Sequence, residues 1–156
     1  MVYTLGHSSL SFEAFAAILR QHGIALVVDV RSEPYSRYAP QFNKAELEQA
    51  LVAAGFAYRY AGAALGGKPR DESLLGPRGV PDYGRIAATP AFQRALEHLC
   101  RLAEEQVVAV VCSEGDPMAC HREKLIAREL RARGVEVRHL LGDGSLAAPP
   151  AQGSLL

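Results

Sequence analysis

Two short, almost continuously apolar runs constrain the fold of this chain more than any other feature. They are LVVDV at residues 26–30 and VVAVV at residues 107–111. A strand with one face in solvent alternates apolar and polar residues, whereas a strand covered by helices on both faces is apolar throughout. Each run is therefore predicted to be an interior strand of a parallel sheet.

Stretches with helical periodicity separate these runs from three other short segments rich in β-forming residues. This alternation is typical of βαβ units, in which helices connect parallel strands. We therefore predict an α/β fold, with a three-layer α/β/α arrangement around a mostly parallel sheet of about five strands. The predicted strands are Val2 to Leu5, Ala25 to Val30, Ala57 to Tyr60, Val107 to Cys112 and Val135 to Leu140.

Four helices are predicted from the apolar spacing and from residues that begin or end helices. Ser and Asn side chains accept hydrogen bonds from the free N–H groups of a first helical turn, and glycine commonly follows the last turn. The first helix is predicted from Ser11 to His22, the second from its cap Asn43 to Gly55, the third from Pro90 to about Glu105, and the fourth from near Ala119 to just before Gly134.

The chain of 156 residues is predicted to form a single domain over residues 1–141. A chain of this length buries roughly two thirds of its unfolded surface, which is enough for one hydrophobic core. Residues 61–89 are long for a connection and are predicted to be a long loop, either a lid over a site or a disordered excursion. Residues 142–156 lack periodicity and are predicted to be a flexible C-terminal tail.

The overall charge and hydropathy do not favour a nucleic acid or a membrane as the partner. The chain has 17 basic and 17 acidic residues, and its apolar runs fall short of the roughly 20 residues that span a bilayer. Its start, MVYTLGHSSL, lacks the pattern of a signal peptide. We expect a cytoplasmic protein whose three cysteines are reduced thiols, and the sequence leaves its oligomeric state open.

Polar residues of chemically reactive types follow the ends of four predicted strands. In an open parallel sheet, ligands bind beyond the carboxyl ends of the strands, because loops and helix N-termini converge there. The sequence therefore predicts one polar site along this edge. The residues assigned to it are His7, Ser8, Asp29, Arg31, Arg37, Gly66, Gly67, Lys68, Cys112, Ser113, Glu114, Cys120, His121 and Arg122.

Four of these residues are candidates for catalysis: Cys112, His7, Glu114 and His121. Cys112 ends a buried strand shortly before a predicted helix, and the helix dipole and the His121 imidazole could both favour its thiolate. The alternative is that Cys112 is a small buried hydrophobic residue. His7 follows a strand beside a glycine and is a candidate for proton transfer.

The other candidates are predicted to bind a ligand, and the basic ones indicate that this ligand is a small anion. Arg31, Arg37, Lys68 and Arg122 could surround it, or they could instead pair with nearby carboxylates. Asp29 lies in an apolar strand and needs a partner, for which Arg31 is on the same face. The spacing Cys-x7-Cys fits no usual zinc site, so neither a metal nor a cofactor is predicted.

Four motifs together resemble the family called domain of unknown function 488. They are TLGHS at residues 4–8, DVRSEPYSRY at 29–38, LGGKP at 65–69 and CSEGDPMACHRE at 112–123, in that order. The resemblance spans residues 3–140. It implies an α/β fold with one polar site and carries no assigned activity.

A looser likeness is to rhodanese-like sulfurtransferases. These pair an early strand ending in Asp-x-Arg with a later Cys-x-x-Gly loop, and LVVDVRSEPY and VVAVVCSEGD are similar. The arginine that normally follows the glycine is replaced here by Asp116 and Pro117. The likeness implies that Cys112 accepts sulfur from a donor such as thiosulfate.

Three functional hypotheses remain open from the sequence. The first is an enzyme or ligand-binding protein that acts on a small anionic substrate, phosphate-like or nucleotide-like, at the carboxyl edge of the sheet. The second is a rhodanese-like sulfurtransferase that uses Cys112. The third is a non-catalytic module that binds nucleic acid or protein, although a net charge of zero disfavours extended phosphate contacts.

Overall fold

The structure is a computed structural model that describes residues 1–148. It contains one five-stranded sheet with the strand order β3-β2-β4-β1-β5, and every neighbouring pair is parallel. The prediction of an α/β fold with a parallel five-stranded sheet is confirmed, and both apolar runs form interior strands. The strands are β1 (Val2–Gly6), β2 (Leu26–Asp29), β3 (Ala57–Tyr60), β4 (Val108–Cys112) and β5 (Val137–Leu140).

Helices cover both faces of this sheet. They are α1 (Phe12–Gln21), α2 (Lys44–Ala53), α3 (Gly62–Leu65), α4 (Tyr83–Ala87), α5 (Pro90–Glu105) and α6 (Arg128–Ala132), the last preceded by a π-helical segment, Arg122–Ala127. Alternate residues of β4 point to opposite faces, as the pleat of a strand requires. Val108 and Val110 pack in a core with α5, whereas Ala109 and Val111 pack in a second core with α1 and α2.

The last helix begins later than the sequence pattern predicted. A 3₁₀ turn forms at Pro117–Ala119, where the Asp116 side chain accepts a hydrogen bond from the Met118 N–H at 2.9 Å. Cys120 then adopts an extended backbone (φ −138°, ψ 173°), and helical structure resumes after it. Asp116 therefore begins only this short turn, and the extended Cys120 separates it from the helical structure that resumes at residue 121, two residues after the predicted start near Ala119.

Residues 61–89 contain more regular structure than a predicted long loop. Besides α3 and α4, 3₁₀ turns form at Glu72–Leu74 and Pro77–Gly79. Aspartate side chains cap two of these elements: Asp71 accepts from the Ser73 N–H, and Asp82 accepts from the Arg85 N–H. Such short side-chain-to-backbone bonds order a segment locally, without the long apolar periodicity that reveals a helix in a sequence.

The start of the predicted tail lies along β5. Leu146 forms an antiparallel bridge with Leu140, and the Ala147 N–H donates to the His139 carbonyl at 2.8 Å. Residues 149–156, which make up the rest of the predicted tail, lie outside the described residues.

Candidate functional site

A cleft of about 540 Å³ opens where β2 and β4 end. These strands are neighbours in the sheet, so the loops that follow them form opposite walls. The segment after β3 and the helical turn at Tyr83 complete the lining. Several residues assigned from the sequence therefore do come together: Arg31, Gly67, Lys68, Cys112, Ser113, Glu114, Cys120 and His121.

Two free cysteines meet at the floor of the cleft. The Sγ atoms of Cys112 and Cys120 are 3.3 Å apart, close enough for one thiol to donate a hydrogen bond to the other sulfur. Cys112 ends β4 and is 3% exposed, and Cys120 is half-buried. The 3₁₀ turn between them folds the chain back and produces this contact.

Arg122 is completely buried beneath the cleft and holds the Cys120 sulfur. Its backbone N–H and its Nε donate to the sulfur at 3.3 and 3.4 Å. Its Nη atoms donate to the Thr4 hydroxyl at 3.0 Å and to the Glu114 carbonyl at 2.7 Å. Arg122 was predicted to bind an anionic ligand, but the structure places its guanidinium behind the sulfur and not in the lining of the cleft.

The ion pairs of residues 1–148 do not include Arg122. A buried positive charge is costly unless an anion balances it. A Cys120 thiolate would supply that anion, because its sulfur accepts from two N–H groups of Arg122. The electrostatics of the site thus favour a negative charge on Cys120.

The pKa values of the two thiols move in opposite directions. The hydrogen bond from the Cys112 thiol, followed by those from His121 and Arg122, lowers the pKa of Cys120 well below that of a free thiol. The hydrogen bond to Cys120 and burial raise the pKa of Cys112. Cys112 also lies 3.5 Å from the Glu114 carbonyl, which only accepts hydrogen bonds, so Cys112 is the protonated partner.

Arg31 is the basic side chain fixed most firmly at the wall of the cleft. Its Nε and Nη2 donate to the two oxygens of Asp29 at 2.9 and 2.8 Å, so the predicted pairing is confirmed. Asp29 also accepts from the Tyr58 hydroxyl at 2.7 Å and is fully buried. Because its oxygens are occupied by these donors, Asp29 orients Arg31 and does not itself line the cleft.

His7 supports Arg31 from behind. Its Nδ1 lies 2.9 Å from the Ser8 carbonyl, and its Nε2 lies 3.3 Å from Arg31 Nη1. Burial lowers the pKa of His7, and the nearby Arg31 charge lowers it further. The neutral imidazole therefore donates through Nδ1–H and accepts at Nε2, and its ring stacks on Phe42 with centroids 4.5 Å apart. Both ring nitrogens of His7 are already hydrogen-bonded, so neither is free to exchange a proton with a substrate in this arrangement. Proton transfer by His7 stays a prediction.

The two glycines of the LGGKP motif let the segment after β3 pass close to two other loops: Gly66 lies against the loop after β2, and Gly67 lies against residues 113–121, the cysteine loop. A Cβ at Gly67 would lie 2.8 Å from the His121 side chain, and a Cβ at Gly66 would overlap Ser32. The Lys68 N–H donates to the Ser32 hydroxyl at 2.9 Å, which fixes the exposed Lys68 at the rim. Gly66 and Gly67 were predicted to bind a ligand, and this stays a prediction; what the structure shows at both positions is close backbone approach.

His121 is fixed beside Cys120 by its own hydrogen bond. Its Nε2 lies 3.1 Å from the Val30 carbonyl, so this nitrogen carries a proton. Nδ1 is then the ring nitrogen left for the hydrogen bond to Cys120. The catalytic assignment made for His121 from the sequence stays a prediction.

Six assigned residues lie apart from the lining of the cleft: His7, Asp29, Gly66 and Arg122, whose contacts are given above, and Ser8 and Arg37. Arg37 is exposed on the loop after β2, and Ser8 is exposed with a positive φ of 45°. The Ser8 N–H donates to the Ser113 carbonyl at 2.8 Å, so Ser8 ties β1 to the cysteine loop through its backbone.

Three polar residues that complete the site were not assigned to it from the sequence. Tyr58 binds Asp29, and Thr4 links Arg122 to His139 through contacts of 3.0 and 2.5 Å. Thr4 and His139 are opposite each other in the β1–β5 register, which no local pattern reveals. Two of these residues could have been found from the sequence: Thr4 lies in the TLGHS motif, and His139 lies near the end of a predicted strand. No feature of the sequence indicated that Tyr58 belongs to the site.

Residues 1–148 contain neither a metal-binding cluster nor a membrane-spanning helix. No group of three His, Cys, Asp or Glu side chains in this range is arranged to hold a metal ion. Across the same range, no helix has the length and apolar character needed to cross a membrane.

Fold and cleft together define a class: a parallel α/β protein with a cysteine site at the carboxyl edge of its sheet. The family model described as Domain of unknown function DUF488 matches residues 11–128, and the chain belongs to this family. No curated protein and no solved structure gives a significant match. These comparisons give no support to the likeness to rhodanese-like sulfurtransferases.

Proposed function

We propose that the protein is an enzyme that uses the Cys120 thiolate as a nucleophile on a small anionic substrate. The observation that carries this proposal is the environment of the Cys120 sulfur. It receives the N–H groups of a fully buried arginine and the thiol of Cys112, and it lies in an open cleft. Thiolates are the reactive form of cysteine, and positive surroundings of this kind are what produce them at neutral pH.

The proposal changes which cysteine acts. Cys112 was the candidate from the sequence because it ends a strand, but its thiol is buried and its polar neighbours, the Cys120 sulfur and the Glu114 carbonyl, both act as acceptors for its single proton. Cys120 is more exposed and accepts N–H donors. Accessibility and charge therefore both favour Cys120 as the attacking sulfur.

Two cations support the binding of an anion next to this sulfur. Arg31 lines the cleft and has N–H groups beyond those that bind Asp29, since a guanidinium carries five donors. Lys68 stands at the rim, anchored through Ser32. Glu33 and Glu114 also line the cleft, so its net charge is close to balanced. This favours a small anion held by directed hydrogen bonds over an extended polyanion.

The chemistry that fits is covalent transfer to sulfur. The thiolate attacks the electrophilic atom of the substrate, and the bond to the leaving group breaks. His121, with Nε2 committed to Val30, is positioned to give or take the proton at Nδ1. A sulfane-sulfur donor is one substrate of this kind, so sulfurtransfer stays a candidate, with Cys120 in place of Cys112 as acceptor.

The test compares two single-thiol proteins across pH. Cys100→Ser with Cys112→Ser leaves Cys120, and Cys100→Ser with Cys120→Ser leaves Cys112 as the matched control. We expect iodoacetamide to label Cys120 with a midpoint well below the free-thiol value of about 8.5, and sulfate, phosphate or thiosulfate to slow the labelling. Equal pH midpoints of labelling in the two proteins would contradict the proposal that Cys120 is the nucleophile. Anion protection without a lowered midpoint would instead favour the non-catalytic binding module.

A further inference from the structure

The proposed reaction at Cys120 does not use the second thiol of the cleft, that of Cys112, as a reactive group. Cys112 lies 3.3 Å from the Cys120 sulfur and is 3% exposed. A hydroxyl at this position would also donate a hydrogen bond to the thiolate, and that hydrogen bond would be stronger than the one from a thiol. What a thiol adds at this distance is the ability to form a bond to sulfur.

The geometry of the pair permits that bond after a small movement. A disulfide has an S–S length of about 2.05 Å, so the two sulfurs must approach by little more than 1 Å. Cys112 ends a strand that is hydrogen-bonded between β1 and β2 and cannot move far. Cys120 has an extended backbone between a 3₁₀ turn and the π-helical segment, so side-chain rotation there can provide the approach.

We propose that Cys112 and Cys120 are a redox-active dithiol that reduces a small hydroperoxide and closes into an intramolecular disulfide. The proposal rests on the proposed function, because it uses the same Cys120 thiolate as the attacking group. It adds a second role for the cleft, in which Cys112 is the resolving thiol.

The reaction proceeds in two balanced steps. The Cys120 thiolate attacks one oxygen of the hydroperoxide, the O–O bond breaks, and Cys120 becomes a sulfenic acid while the departing hydroxide or alkoxide takes a proton from solvent. The Cys112 thiol then attacks the Cys120 sulfur, and the hydroxyl of the sulfenic acid leaves with the Cys112 proton as water. The two sulfurs together lose two electrons, and the hydroperoxide gains them.

Arg122 makes the disulfide easy to reduce again. In the dithiol state the Cys120 thiolate balances the buried guanidinium, whereas a disulfide carries no charge and leaves Arg122 without an anion among the described residues. Stabilising the reduced thiolate raises the reduction potential of a pair. The disulfide should therefore be opened readily by a monothiol.

The experiment treats the reduced full-length protein with one equivalent of hydrogen peroxide, followed by alkylation and intact and peptide mass spectrometry. We expect the loss of two hydrogens, a peptide joining Cys112 to Cys120, and full reversal by glutathione. In Cys112→Ser, dimedone should trap a sulfenic acid on Cys120 with no disulfide. In Cys120→Ser, oxidation should slow by about tenfold or more, because the remaining thiols are protonated.

Cys100→Ser is the matched control and should behave as the wild type, because Cys100 lies on α5 and burial raises its pKa. A dimedone adduct on Cys120 as abundant in the wild type as in Cys112→Ser would overturn the resolving role. Low-pH alkylation of Cys120 without any disulfide would overturn the dithiol and leave the proposed nucleophile standing. Slow alkylation of Cys120 together with rapid disulfide formation would support the dithiol and overturn the proposal that Cys120 is a thiolate nucleophile.

Discussion

Replacing Arg122 by methionine isolates the charge that stabilises the Cys120 thiolate. Methionine retains the apolar length of the side chain and the backbone N–H that donates to the sulfur, but it removes the Nε donor and the positive charge. One charge-assisted hydrogen bond is worth about 1.5–3 kcal/mol. Since 1.36 kcal/mol corresponds to one pKa unit, the pKa of Cys120 should rise by about one to two units.

The same substitution also lowers stability. Arg122 donates to the Thr4 hydroxyl and to the carbonyls of Glu114 and Gly115, and these groups would lose a buried donor. Each unsatisfied polar group costs about 1–3 kcal/mol. Arg122→Lys keeps the charge without the planar fork and should produce a smaller change in both quantities.

The assay is the pH dependence of iodoacetamide labelling in the Cys100→Ser, Cys112→Ser background, with far-ultraviolet circular dichroism to verify folding. The labelling midpoint of Cys120 should be lowest in this parent, higher after Arg122→Lys and highest after Arg122→Met. A folded Arg122→Met protein whose midpoint equals that of its parent would refute the role of Arg122 as the counter-charge.

Three further predictions concern the groups around the cleft. Asp29→Asn should lower the free energy of unfolding by about 3–5 kcal/mol, because Arg31 is left buried without its carboxylate. Burial lowers the pKa of His7, so its contribution to stability is present above about pH 6.5 and is lost as pH falls; His7→Gln should flatten chemical-denaturation stability across that range. Gly67→Ala should push His121 aside and slow the labelling of Cys120.

Each of these has a matched control. Tyr58→Phe removes only a hydroxyl donor to Asp29 and should cost about 1 kcal/mol, so an equal loss would contradict the ion-pair explanation. His98→Gln alters an exposed histidine and should leave the loss of stability at acidic pH unchanged. Gly76→Ala meets its nearest atom at 3.4 Å and should not affect labelling; if it slows labelling as much as Gly67→Ala does, contact with His121 is not the cause.

Much of the fold follows from short-range patterns. The runs at residues 26–30 and 107–111 are apolar on both faces of a strand, which places them inside a sheet covered by two layers of helices. α5 has the predicted bounds Pro90–Glu105, with Pro90 in its first turn. These features depend on neighbours in the sequence, and the chain order of strands and helices then predicts that the strands are parallel.

The reactive cysteine illustrates what patterns miss. The sequence pattern favours Cys112 as the nucleophile because it ends a strand before a helix, and it assigns Cys120 to ligand binding. The 3₁₀ turn capped by Asp116 folds the chain back on itself. The Cys120 sulfur therefore contacts Cys112 and accepts hydrogen bonds from the N–H groups of Arg122. The pKa of a thiol depends on donors and charges a few ångströms away, and a turn of this kind sets those distances.

The sequence by itself determined the α/β class, the two interior strands, and the edge of the sheet where polar residues collect, because each depends on periodicity or on strand direction. Tertiary structure alone decided the strand order, the Thr4–His139 register and the burial of Arg122 behind a sulfur. The physical reason is that these features join residues far apart in the chain, such as Thr4 and Arg122, whose contact exists only once the sheet has formed.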